Sequence, residues 1–150
     1  MQVNKRNLLR RLATLAATVA LAWPTGPVGT PVEPGPICPP GSDVGIDDFI
    51  VWVDGTGGSN ADVPIRAALP CANTRTITFK TYDITARAGS DYVGVTSGTV
   101  TLTGGSNYTT VRIRVLGKQV PGPDLTFGVL LTSGARFSDP DATVTIKYRY

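Results

Sequence analysis

From residue 49 to the end of the chain, apolar and polar positions alternate in short runs. Residues 76–82 place Ile77 and Phe79 on one face and Thr78 and Lys80 on the other. Residues 108–116 set Val111, Ile113 and Val115 against Arg112 and Arg114, and residues 98–103 turn Val100 and Leu102 inward. A period of two marks a strand buried on one side only. The run Phe49-Ile50-Val51-Trp52-Val53 is apolar throughout and predicts a buried first strand with Trp52 in the core. Strands are also predicted over 63–69, where Pro64 is tolerable near the start, over 125–132 and over 142–150. Gly104-Gly105 carries the chemistry of a hairpin turn, and Gly55-Thr56-Gly57-Gly58-Ser59 that of a flexible loop. No segment after residue 43 has a helical period. Seven strands joined by tight turns predict an all-β fold, an antiparallel two-sheet sandwich of about 100 residues.

Upstream the pattern changes. Residues 1–11 are basic and polar without an acid, residues 12–21 are apolar, and Ala20-Leu21-Ala22 fits a cleavage site. That order is the order of a secretory signal over residues 1–22. The apolar run is shorter than the roughly 20 residues that span a bilayer, so no membrane span is expected. The alternative is an uncleaved helical arm, with Leu8, Leu12, Leu15 and Val19 at helical spacing. Residues 23–42 hold seven prolines and predict an extended linker, or an arm laid over a neighbour. The domain proper is then 43–150. The only two cysteines are Cys38, at the end of the linker, and Cys71, in a predicted loop. In an exported chain such a pair is expected as a disulfide; free thiols in a cytoplasmically assembled particle are the alternative.

Charge corrects a first impression. The net charge of +3 comes from 14 basic and 11 acidic residues. Lys5, Arg6, Arg10 and Arg11 lie in the leader, and from Asp43 onward ten Lys and Arg balance ten Asp. The domain is neutral and has no basic stripe, which argues against nucleic-acid binding. Histidine is absent, so Ser-His and Cys-His nucleophile pairs are excluded. No phosphate loop and no Gly-x-Ser-x-Gly elbow occurs. Asp47-Asp48 and Asp139/Asp141 fall in predicted turns, where carboxylates make local hydrogen bonds. No catalytic residue and no enzymatic activity is expected.

One stretch carries a resemblance. Ala88-Gly89-Ser90-Asp91-Tyr92 runs through a loop into Ser97-Gly98-Thr99-Val100-Thr101-Leu102. With Leu125-Thr126-Phe127 and Asp139-Pro140-Asp141-Ala142 placed in order behind it, the stretch from Asp48 to Tyr148 resembles a Calx-beta domain, an immunoglobulin-like sandwich that binds calcium at one end. The resemblance implies Asp54 for the first-strand acid, Asp91 for the loop acid and Asp124 as a remnant of an acidic segment. It also exposes what is missing. Gly117-Lys118-Gln119 stands where the family has a run of aspartates, Pro121-Gly122-Pro123-Asp124 replaces its Glu-rich segment, and Lys147-Tyr148-Arg149 replaces its closing acids. Calcium takes six to eight oxygens, and most of them are gone. Lys118 or Lys147 would supply the positive charge instead, or Asp54 and Asp91 are ordinary turn residues. No cofactor is expected, and a calcium role is argued against.

The expected function is that of an exported structural or binding module, secreted, periplasmic or on the cell surface, that makes protein–protein contacts with itself or with other assembly subunits. Lys147, Tyr148, Arg149 and Tyr150 are the candidate contact residues, since alternation sets the tyrosines on one face and the cations on the other. The alternatives are a phage virion component, a capsid decoration or tail accessory protein whose arm binds neighbouring subunits, and a weakly calcium-dependent adhesin module.

Overall fold

The computed structural model describes residues 38–118 and 122–149. The expectations for residues 1–22, for the linker before Cys38 and for Tyr150 lie outside the described residues. Among the described residues, nine strands form two sheets: β1 (Val44–Ile46), β2 (Phe49–Asp54), β3 (Ser59–Ala67), β4 (Arg75–Asp83), β5 (Gly98–Leu102), β6 (Tyr108–Val115), β7 (Leu125–Ser133), β8 (Phe137–Asp139) and β9 (Asp141–Arg149). One sheet runs β6-β3-β1-β8 and the other β2-β9-β7-β4-β5. The alternation builds the core. Val63, Ile65, Val111 and Ile113 face Ile77, Phe127, Val129, Val144 and Ile146 across the sandwich, all buried. Each such side chain contributes about 1.5–3 kcal/mol of burial.

The sandwich departs from the expected pattern in four places. β1 and β8 were not expected; each is three residues long, too short for a period to show. The pairings β2–β9 and β1–β8 are parallel, within an otherwise antiparallel fold. The segment after β2 is a single 3-10 turn over Gly55–Gly57 rather than a loose loop. Gly104-Gly105 makes a tight turn, with Gly105 at φ 81°, but it is no hairpin: β5 pairs with β4 and β6 with β3, in opposite sheets.

Between β1 and β2 the chain crosses from one sheet to the other, and two aspartates fix the crossing. Asp47 donates its N–H to the Pro64 carbonyl (3.0 Å) and pairs with Arg66 (2.7 Å) in the first sheet. Asp48 accepts the N–H of Thr143 (2.7 Å) in the second. Pro64 thus lies in the middle of β3, next to the Ile46–Ile65 pairing where β1 ends. Cys38 and Cys71 form a disulfide, as expected, with Cα atoms 4.5 Å apart. Among the described residues, no helix is long and apolar enough to cross a membrane.

Candidate functional site

The loop after β4 is held from inside. Asp91 Oδ2 accepts the N–H of Arg87 (2.7 Å), and Asp91 returns its own N–H to the Arg87 carbonyl (2.8 Å), which closes one tight turn. Gly89 adopts φ 84°, where a side chain would be strained. Tyr92 then enters the core, fully buried and stacked on Phe127 at 4.1 Å between ring centroids. Its hydroxyl donates to Asp83 Oδ1 (2.7 Å), which also accepts the N–H of Ala88 (2.9 Å). Burial, then the bond to Asp83, pushes the Tyr92 phenol up to about 12. The hydrogen bonds from Tyr92 and Ala88 hold the Asp83 carboxyl below its ordinary value. Backbone bonds from Val93 to Arg114 and from Leu116 to Asp91, both 2.8 Å, clamp the loop to the end of β6.

That clamp delivers Lys118. Its N–H donates to the Gly55 carbonyl (3.1 Å), beside Asp54 at the end of β2. Its ammonium forms an ion pair with Asp91, whose side chain is only 6% exposed, and stands 5.5 Å from the ring centroid of Tyr148. Lys147 instead pairs with Asp124 (2.8 Å). The three expected acids are therefore not gathered: Asp91 is held by Lys118, Asp124 by Lys147, and Asp54 is exposed on β2 opposite Arg149.

The four expected contact residues divide. Tyr148 packs against the core from the inner face of β9, while Lys147 and Arg149 face outward. There they flank Trp52, with the Arg149 guanidinium 4.0 Å and the Lys147 ammonium 5.7 Å from its ring. Trp52 is not a core residue. It is 45% exposed, beside Ile50 at 53%, on the edge strand β2. The unbroken apolar run hid the alternation that turns these two outward.

No family model and no curated protein matches the chain. Solved structures do. CBD12 from CALX1.2 superposes with a TM-score of 0.59 at 23% identity, over 71% of this chain and 44% of that one, so the match spans less than half of that structure. The apo-form Calx CBD1 domain matches at 0.55 and 22% identity over 72% and 97%, and the Calx CBD2 domain at 0.59 and 14% over 73% and 90%. The fold is that of a Calx-beta domain.

A Calx-beta fold raises the question of calcium, and the donor set here does not fit it. Among the described residues, no three acidic or other metal-ligating side chains converge. Both oxygens of Asp91 are engaged, one by the Arg87 N–H and one by the Lys118 ammonium. A site for a divalent cation needs several carboxylates without internal counter-ions. The Lys118 ammonium stands against Asp91, the one buried carboxylate among the described residues.

Proposed function

We propose that this chain is an exported, non-enzymatic module that makes protein–protein contacts without calcium, and that its first contact is with a second copy of itself through β2. The exposed Ile50 and Trp52 on an edge strand carry this reading. An edge presents unpaired N–H and C=O groups, and natural edges are usually blunted by charge or proline. β2 carries no proline and one charge, Asp54, at its last position. Trp and Arg are also the residue types that dominate binding energy at interfaces. Antiparallel pairing of two β2 strands about Val51 sets Ile50 of each copy against Trp52 of the other, a self-complementary two-fold contact. The leader pattern and the Cys38–Cys71 bond support export to an oxidising compartment. The Asp91–Lys118 pair supports independence from calcium.

Sedimentation velocity on the full chain tests the contact. The wild type is expected to associate reversibly with rising concentration, and Ile50→Lys to stay monomeric with an unchanged melting temperature. A wild type that remains monomeric across the same range sinks the reading.

A further inference from the structure

Asp43, Asp47, Asp62, Asp91 and Asp124 each stand within ion-pair distance of a lysine or arginine. Asp83 does not, and it lines a groove of about 510 Å³ at the end of β4. β5 pairs with β4 only from Arg75 to Phe79. Beyond that point Val95 is the neighbour of β4. The Thr81 N–H donates to the Val95 carbonyl (2.8 Å), and the Val95 N–H donates to Thr81 Oγ1 (2.8 Å). The groove lies between this tie and the turn at Ala88-Gly89. Its walls are short, because Ala88, Gly89 and Gly94 carry nothing beyond Cβ. A Cβ on Gly94 would come within 2.8 Å of the Ala88 Cβ, so a glycine is required where these two walls meet.

Asp83 is exposed, and its two oxygens are used unequally. Oδ1 accepts both the Tyr92 hydroxyl (2.7 Å) and the Ala88 N–H (2.9 Å), which fills its two lone pairs. Among the described residues, no hydrogen bond or ion pair reaches Oδ2. The two donors hold the carboxyl below its ordinary value, so it is ionised at neutral pH. Arg87 adds a Coulombic pull without forming an ion pair. A guanidinium fork grips two free oxygens, and here only one is free. The match is a single strong donor, and an ammonium is a compact point charge of that kind. A free amine would stay largely in water beside so exposed a carboxylate, whereas small-molecule sites bury most of their ligand. A chain laid along the groove adds the contacts that a free amine lacks.

We propose that this groove docks a lysine side chain of a partner protein, with the ammonium on Asp83 Oδ2 and the flanking backbone along Gly89, Gly94 and Thr96. In the strand order β2-β9-β7-β4-β5, two strands separate β4 from β2. The groove is therefore a second contact surface, independent of the self-contact through β2.

The backbone amides of Gly89 and Gly94, followed by NMR in the full chain, report on the groove. Titration with the end-blocked peptide Ala-Thr-Lys-Thr-Ala is expected to shift both to saturation, with a dissociation constant on the order of 1 mM. The same peptide with its lysine acetylated is expected to leave them unmoved. An arginine in place of the lysine is expected to bind no tighter, and n-butylamine about tenfold more weakly. Asp83→Asn keeps an oxygen for Tyr92 and Ala88 and is expected to weaken binding about tenfold or more. Thr96→Lys sets an ammonium of the chain's own at the groove. It is expected to block the peptide with the bond from Tyr92 to Asp83 intact, so the test does not rest on the folding of one variant. Ile50→Lys is expected to bind the peptide as the wild type does, whether or not β2 associates. A lysine peptide that moves neither amide overturns the proposal. So does an acetylated peptide or n-butylamine that binds as tightly, or a clear preference for arginine.

Discussion

Lys118 is the residue on which the chemistry of this Calx-beta fold turns. Asp91 is 5% exposed, and a carboxylate that far from water persists as an ion only where charge and hydrogen bonds compensate it. The Arg87 N–H supplies one bond and the Lys118 ammonium the charge. Lys118→Met is therefore expected to cost about 2–3 kcal/mol, below the full cost of breaking a buried pair because the lysine side chain is 37% exposed. Asp91→Asn added to that variant should recover a good part of the loss, since an amide oxygen still accepts from Arg87 and carries no charge. Chemical denaturation of the three proteins measures the coupling. In the wild type, calcium followed by a chelator should leave the melting temperature within about 1 °C, because a ligand stabilises only by binding the folded state. A rise that the chelator reverses would return the ion to this site.

At the scale of elements, the strands with a clean alternation were legible in the sequence, and so was the loop that leads to Asp91. What escaped was set by partners distant in the chain. Trp52 belongs to an apolar run with no visible period, and only its place on an edge, between Lys147 and Arg149, explains its exposure. Gly104-Gly105 has the local chemistry of a hairpin, but its flanking strands are claimed by β3 and β4 in different sheets. The sequence offered Lys118 or Lys147 as the counter-charge for the aspartates; which lysine meets which aspartate could not be read from it. The turn after Cys38 left no sequence signal, because Arg75 reaches it from β4 through the Ser42 carbonyl. That turn depends on the disulfide, which closes a separation of 33 residues. A loop of this size gives about 3.5–4 kcal/mol in the chain-entropy model. The paired variant Cys38→Ser/Cys71→Ser is thus expected to lose about that unfolding free energy, with a somewhat steeper denaturation slope because its unfolded chain is less compact. A loss under about 1 kcal/mol would mean that the turn is held by its other contacts, among them the bond from Arg75 to Ser42.

Across the whole molecule, acids and bases are nearly balanced within the domain, so its dependence on pH rests on a few coupled groups rather than on net repulsion. Asp62 titrates below its ordinary value because Arg112 bonds it, and Asp83 does so because Tyr92 and Ala88 donate to it. A carboxyl lowered in the folded state stabilises at pH above its unfolded value near 3.9, and that contribution is lost as pH falls through the folded value. Tyr92 works in the opposite direction. Its phenol ionises near 12 when folded and near 10 when unfolded. Below pH 10 it is neutral in both states and its contribution is intact. Between 10 and 12 the unfolded chain ionises first, and stability falls by about 2–3 kcal/mol in total. Stability should therefore be flat from about pH 5 to pH 9, with an acid limb below 4 and an alkaline limb above 10. Tyr92→Phe separates the two ends. It keeps the stacking surface on Phe127 and removes the titrating hydroxyl, so the alkaline limb should flatten, while Asp83 loses a donor and the acid limb becomes shallower. Denaturant midpoints across pH for the two proteins measure both changes. An alkaline limb that survives Tyr92→Phe would place the sensitivity elsewhere, with Tyr82, whose phenol is also raised by its bond to Asp141, as the next group to replace.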